Sequence, residues 1–485
     1  MKIVLALLLP VAHSWLYSIG PDLFTETKSP AVQLRCVNWY GAHQELFVSG
    51  GLELRSCEFI ADMVHSIGAN CVRIPLSVQL IQDNPSPPRW AIAGILGSCN
   101  ATSALGVLDC QVQALTARGI MVILNNHNSV AGWVGSYENI SQGLWHYPGY
   151  PTSDWVSSLA SIAKRYRNNS LVVGLDIRNE IHDMNGTVIT WGQSSDVNSD
   201  WKAATMMADT AIREANPDIL VIVSGLCMGY DLRAMQDLVN YRFKFVFTTH
   251  VYTFSWWFIR VNWTAIWVVA TVIMAAHVAC LCLYPHTLSI LTCNDMDYND
   301  PFYWLYAASG SLVAPVLGTT VSLIWMQQST QVGCSSIAAD ASTLLWVSVA
   351  WLTVDIASLF ILVKMENIYN WKAQVSWFCI WNIGVCAVLI PLSFWFQTYG
   401  AVEWDLSRWH SLDIPVFVGE FGAAIGEDTV AWGWLTRYIK KKHYSYWALN
   451  GRMWRNGWIP EGFGLLTEDW GAVRDLHWTR KIFPK

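Results

Sequence analysis

Glu420 stands between two glycines at the end of an apolar run, Ile414-Pro415-Val416-Phe417-Val418-Gly419-Glu420-Phe421-Gly422. Glu180 closes a similar run, Leu171-Val172-Val173-Gly174-Leu175-Asp176-Ile177-Arg178-Asn179-Glu180, about 240 residues upstream. Apolar runs of this length read as strands of a parallel sheet buried on both faces. A carboxyl group at the C-terminal end of such a strand stands where β/α barrels collect their reactive groups. Two carboxyls facing one another across a cleft suit glycosidic-bond chemistry. One protonates the leaving oxygen, and the other attacks the anomeric carbon at a carboxyl separation of about 5 Å. The first needs a raised pKa and the second a low one.

Other strand ends carry groups suited to the same chemistry. Arg73, in Val72-Arg73-Ile74-Pro75, is a guanidinium able to keep Glu420 ionised. Tyr252, in His250-Val251-Tyr252, can donate a hydrogen bond to that carboxylate. Asn179, beside Glu180, can bind a sugar 2-hydroxyl, and Trp447 offers a flat face for a sugar ring. His127 and His250 read equally as hydrogen-bonded walls of the cleft and as participants. No third ligand accompanies them at metal-binding spacing, so neither a metal nor a cofactor is expected. Trp39 and Trp133 are balanced between subsite platforms and core positions.

The elements that must position these groups alternate along the chain. Strands are expected at 31–40, 70–76, 119–126, 171–177, 219–224, 245–249, 414–420 and 444–449. Helices are expected between them at 52–66, 107–118, 155–166, 201–215 and 429–442, with a further one at 402–410. This alternation implies a parallel sheet with helical crossovers, and eight strands imply an α/β fold of the (β/α)8 TIM-barrel type.

The alternation breaks between strands six and seven. Hydrophobic residues make up 53% of the chain and charged residues only 14%, below the ~25% of ordinary globular domains. The apolar excess is concentrated in four runs, 263–283, 302–326, 343–363 and 376–396, each long enough to be read as a membrane span. The fold class is therefore a barrel interrupted after strand six by a four-helix transmembrane insertion. Membrane lipid is an expected partner. An even number of crossings returns the chain to the side it left. Lys364 and Lys372, between the third and fourth runs, assign that connection to the cytoplasm. Residues 1–14 read as a signal peptide. Five Asn-x-Ser/Thr sequons, at Asn100, Asn139, Asn168, Asn185 and Asn262, all precede the first apolar run. They place the barrel on the extracellular or lumenal side of a multi-pass membrane protein. Secretory entry makes the 12 cysteines candidates for disulfides. Cys99 and Cys110 are spaced to close a short loop, whereas Cys71, inside a strand, reads as a buried thiol. The 29 tryptophans fit sugar platforms and membrane belts alike. A net charge of −6 gives no basic surface for nucleic acid. Oligomeric state is not legible.

The order Arg73, His127-Asn128, Asn179-Glu180, His250-x-Tyr252, Gly419-Glu420-Phe421-Gly422 and Trp447 resembles glycoside hydrolase family 5, the cellulase family. The resemblance covers roughly residues 30–256 and 400–480, and the barrel is expected in two parts, 30–256 and 400–485, around an inserted block at 257–399. It implies Glu180 as acid/base, Glu420 as nucleophile, retention of configuration, and a β-glucan-type substrate. Two alternatives remain. One is a glycosidase acting on membrane glycolipids. The other is a membrane-anchored sugar-binding or transport module without catalysis.

Overall fold

The computed structural model of the protein describes residues 15–25, 30–133, 142–235, 244–252, 414–427 and 429–484, together with positions 316, 319, 323, 346 and 349. The chain divides into two compact units, residues 1–255 with 407–485 and residues 256–406. In the second unit the described positions Val316, Thr319, Leu323, Trp346 and Val349 are helical.

The first unit opens with an antiparallel hairpin, β1 (Leu16–Ile19) and β2 (Asp22–Thr25), which the apolar alternation did not signal. Leu16 and Leu23 from it are buried with Cys36, Cys71, Ile123 and Phe417 in one apolar cluster. Eight parallel strands then close a barrel. They are β3 (Arg35–Asn38), β4 (Cys71–Ser77), β5 (Met121–Asn128), β6 (Val172–Asp176), β7 (Leu220–Ser224), β8 (Phe245–His250), β9 (Val416–Phe421) and β10 (His443–Tyr446). Each pairs with the next in sequence, and β10 pairs with β3 to complete the circuit. Both faces of these strands are covered, which is why they read as apolar runs rather than alternating ones.

Helices on the outside are α1 (Cys57–Ile67), α2 (Val78–Asp83), α3 (Ala104–Thr116), α4 (Thr152–Arg165), α5 (Trp201–Ala215) and α6 (Val430–Ile439). Their starts follow local chemistry. Ser56, Ser103, Asp200 and Thr429 each accept a backbone N–H of the first turn of α1, α3, α5 and α6, offsetting donors that the helix itself leaves unpaired. Gly68 ends α1 in the left-handed conformation at φ 91°. After β10 come a second hairpin, β11 (Arg452–Trp454) and β12 (Trp458–Pro460), and a closing helix, α7 (Leu476–Ile482).

Among the described residues no helix is long and apolar enough to cross a membrane. The signal peptide at 1–14, the four spans at 263–283, 302–326, 343–363 and 376–396, and the helix at 402–410 lie outside the described residues, apart from the five helical positions named above. Asn100, Asn168 and Asn185 are exposed, as glycan attachment requires. Asn139 and Asn262 lie outside the described residues.

The cysteines correct one expectation. Cys71 is not a thiol: it is bonded to Cys36, directly across from it on the neighbouring strand. Adjacent register positions bring the two sulfurs together, a pairing that sequence spacing alone does not reveal. Cys99 and Cys110 are also bonded. Replacing both Cys36 and Cys71 by alanine is expected to lower the unfolding free energy of the barrel by about 2–4 kcal/mol. Urea titration followed by tryptophan fluorescence checks this, and an unchanged midpoint would contradict it.

Candidate active site

Arg73 points into the barrel from β4 and is fully buried. Its Nε donates to Asp176 at 2.9 Å, and Nη2 approaches the same carboxylate at 2.8 Å. Nη1 donates to Asn38 at 2.9 Å and to Glu420 at 2.7 Å, and Nη2 donates to Asn179 at 2.8 Å. One guanidinium thus ties together strands β3, β4, β6 and β9 and the segment that follows β6. Asn179 spends its carbonyl oxygen on Arg73, so its NH₂ group is directed away, with His127 Nε2 at 3.5 Å. The assignment of amide O and N follows from this hydrogen bonding.

Glu420 accepts from Arg73 on Oε1 and from the Tyr252 hydroxyl on Oε2, the latter at 3.0 Å. Its neighbouring glycines allow close packing. A Cβ on Gly419 would lie 2.4 Å from Thr248 Oγ1 and 3.1 Å from His250 Nε2, and one on Gly422 would lie 2.4 Å from the Trp447 carbonyl. Any side chain at either position would push β8 or the end of β10 away from the carboxylate.

Glu180 follows β6 in the left-handed region, at φ 36°, a strained conformation for a residue with a side chain. The Asn179 N–H bond to the Asn126 carbonyl and the His182 Nδ1 contact with the Glu180 carbonyl hold it there. Its side chain keeps 22% exposure, whereas that of Glu420 keeps 5%. His250 Nδ1 lies 2.9 Å from Glu180 Oε1 and 3.7 Å from Glu420 Oε2. Ligating atoms of Glu180, His250 and Glu420 all lie within 4.8 Å of one another. His127 is not among them; His250 instead stands beside two carboxyl groups, and these three could hold a cation. Each is already engaged, however: Glu420 with Arg73 and Tyr252, Glu180 with His250.

Burial raises the Glu180 carboxyl to about 7, against the opposing pull of His182 and Arg73. Burial also pushes Glu420 above its usual value, opposed by His250 and Arg73. That differs from the low value expected from an arginine neighbour alone, since desolvation at so buried a site outweighs the ion pair. The ordering of the two acids still follows from contacts. Arg73 and Tyr252 both donate to Glu420 and neither donates to Glu180, so these contacts favour the charged form of Glu420 over that of Glu180. Desolvation lowers His250 to about 4 and His127 well below its usual value, leaving both neutral near pH 7.

Trp447 closes the far side. Tyr40 stacks on it at 4.6 Å and 9°, and Trp133 meets it edge-on at 6.5 Å. Trp39 is fully buried and donates its Nε1–H to the Gly50 carbonyl at 2.8 Å. That is a core position with no face left for a ligand.

Sequence reasoning passed over four groups. Asp176 is a lone acid inside an apolar strand, itself a sign of a buried partner. Asn38 bridges Arg73 and the Gly419 carbonyl. Buried Tyr40 donates its hydroxyl to the carboxylate of buried Glu461. The hairpin β11–β12 was signalled by Asn456-Gly457 between two tryptophans.

Residues 39–272 match the model of the cellulase family, glycosyl hydrolase family 5. The chain is similar to family 5. An endoglucanase of Paenibacillus polymyxa is 32% identical over 190 residues, covering 39% of this chain and 45% of that protein. The major extracellular endoglucanase of Xanthomonas campestris pv. campestris is 28% identical over 226 residues, covering 46% of this chain and 43% of the relative. The chain thus spans under half the length of these relatives. In three dimensions the catalytic domain of the Xanthomonas enzyme aligns with a TM-score of 0.56 at 18% identity, covering 97% of this chain and 100% of that domain. An endocellulase from Pyrococcus horikoshii, solved in complex with cellotetraose, aligns with a TM-score of 0.56 at 17% identity, covering 97% of this chain and 99% of that one. These alignments show the shared barrel fold.

A pKa near 7 for the proton on Glu180 sets a sign for pH dependence. The protonated form is full below that value and is lost above it, so kcat/KM of any reaction that takes its proton from Glu180 should fall tenfold per pH unit above about 7. With Glu180→Gln and a dinitrophenyl glycoside, whose leaving group departs without a proton, that limb should vanish. Persistence of the limb in the variant would assign it to another group.

Proposed function

We propose that the chain is a retaining β-glycoside hydrolase of the cellulase or endo-β-glucanase kind, cleaving O-glycosidic bonds of a β-linked polysaccharide by double displacement. The observation that carries this is the carboxyl pair: one oxygen of Glu180 and one of Glu420 lie within 4.8 Å of one another. Retaining enzymes hold their carboxyls about 5–5.5 Å apart, whereas inverting enzymes leave about 6.5–9.5 Å for a water. The family match and the endoglucanases among the relatives support the same reading.

In the first step Glu420 attacks the anomeric carbon while Glu180 passes its proton to the departing oxygen. The product of this step is a glycosyl ester on Glu420. In the second step Glu180, now a carboxylate, takes a proton from water. The resulting hydroxide equivalent attacks the same carbon, Glu420 leaves, and the starting protonation states return. Arg73 and Tyr252 keep Glu420 oriented and charged before attack. Neutral His250 sits against Glu180 through Nδ1 at 2.9 Å, with Glu420 Oε2 3.7 Å from the same nitrogen. The Asn179 NH₂ group faces the cleft as a donor to the 2-hydroxyl. His127, aligned by Asn125 at 2.9 Å, and Trp447 form the wall against which the ring rests.

The barrel is proposed to act on the extracellular or lumenal side, anchored by the four apolar runs within 257–399. A second reading, a glycolipid substrate, is favoured by one observation. The chain passes from Tyr252, a residue in contact with Glu420, into that apolar block within a few residues.

A hydrolysis panel of soluble β-glucans and detergent-dispersed glycolipids, run on wild type, Glu180→Ala and Glu420→Gln, tests the proposal. Soluble β-glucan turnover is expected, reduced by about 10³-fold or more in Glu420→Gln. Turnover unchanged by that substitution would contradict the mechanism, and turnover of glycolipids alone would favour the second reading.

A further inference from the structure

The fold puts the three described Asn-x-Ser/Thr sequons at different ends of the barrel. Asn168 lies between α4 and β6, at the foot where strands begin. Asn100 lies between α2 and α3, and Asn185 between β6 and α5, both at the mouth that carries Glu180 and Glu420. Asn185 is the tip of a tight turn. Met184 and Thr187 exchange both backbone hydrogen bonds, at 2.9 and 2.8 Å. Asn185 and Gly186 take φ values of 52° and 79°, the backbone that an Asn-Gly pair suits best.

This turn is fixed close to the acid. The His182 N–H donates to the Gly143 carbonyl at 3.2 Å, and the Gly143 nitrogen lies 3.3 Å from Met184 Sδ, so the turn stands on the loop that follows β5. Five residues of chain span at most about 18 Å, which bounds the Cα separation of Asn185 and Glu180. Asn185 and Gly186 are both exposed, and Val188 beside them is 54% exposed. The disulfides Cys36–Cys71 and Cys99–Cys110 belong to an oxidising compartment, the setting in which Asn-x-Thr is a glycan acceptor. Transfer joins the Asn185 side-chain nitrogen to the anomeric carbon of a lipid-pyrophosphate oligosaccharide. The sugar–phosphate bond breaks, the lipid pyrophosphate leaves with its electron pair, and the amide nitrogen gives up one proton.

We propose that Asn185 is an N-glycosylation site whose glycan holds the β6 edge of the cleft mouth in water. A bulky hydrophilic branch there keeps a flat apolar surface off that edge. It favours a polymer that arrives through water over a glycolipid lying in a bilayer. The inference rests on the extracellular or lumenal placement of the barrel and is independent of which acid does which step.

The test uses the full chain made in a eukaryotic secretory host, as wild type, Asn185→Gln, Thr187→Ala and Thr187→Ser. Glycopeptide masses are read first, because an Asn-Gly pair can also lose ammonia without an enzyme. Sheared membranes, without detergent, are then treated with peptide N-glycosidase in ¹⁸O-water, and position 185 is examined for ¹⁸O-labelled aspartate. Wild type and Thr187→Ser should carry a glycan at position 185 that is released from the folded chain. Asn185→Gln and Thr187→Ala should each carry one glycan fewer. Glycans on Asn100 and Asn168 with Asn185 bare would overturn the site. A glycan at position 185 released only after denaturation would overturn its placement in water. No glycan on any of the three would overturn the site together with the extracellular or lumenal placement, a result that leaves the glycosidase reading to its own hydrolysis panel.

Discussion

The Arg73 guanidinium donates four hydrogen bonds, from Nε to Asp176, from Nη1 to Asn38 and Glu420, and from Nη2 to Asn179, and Nη2 also lies 2.8 Å from the Asp176 carboxylate. A fully buried cation is tolerable only when it is paired and its donors are satisfied. The rest of the site hangs on this constraint. Asn38, whose amide also donates to the Gly419 carbonyl, and Asp176 take the donors that Glu420 and Asn179 do not. What remains for Glu420 is a single short contact that fixes one oxygen. What remains for Asn179 is a fixed amide orientation. Breaking such a pair by removing one partner typically costs about 3–5 kcal/mol, so the clamp is structural and functional at once.

The clamp also sets the charges. Arg73 carries one positive charge against the carboxylates of Asp176 and Glu420, both nearly free of solvent. A further negative charge on Glu180 would add to an excess already present, in a place where burial alone raises its carboxyl. The contacts thus favour a proton on Glu180 and a charge on Glu420, the asymmetry that the proposed acid and nucleophile require. Neutral His250 lets the two approach without adding a cation between them. The glycines flanking Glu420 are the steric counterpart, since they remove the side chains that would hold β8 and Trp447 apart from it.

The barrel was legible because each strand is buried on both faces and so appears as an apolar run, as in Phe245-Val246-Phe247 or Val416-Phe417-Val418. Strand ends were less so: the third strand runs on through His127 and Asn128, because polar residues at the mouth still pair with neighbouring strands. Arg73, Asn179, Glu180, His250, Tyr252, Glu420 and Trp447 could be named from strand ends, and the fold places them around one guanidinium or one cleft. What escaped were relations across the barrel. Cys36 and Cys71 are neighbours only through register. Tyr40 and Glu461 meet only because the closing segment returns over β3. Trp39, one position after a strand end, turned inward to the Gly50 carbonyl while Tyr40 turned toward Trp447, a parity that the sequence leaves open. The hairpin at 452–460 is too short for periodicity to register.

Covalent trapping tests the division of roles most directly. The full chain would be incubated with an activated 2-deoxy-2-fluoro-β-cellobioside, and the labelled peptide located by mass spectrometry. The expected result is one glycosyl ester, on Glu420, with Glu180 unmodified. An ester on Glu180, or turnover of a natural substrate with inversion at the anomeric carbon, would contradict the arrangement described above.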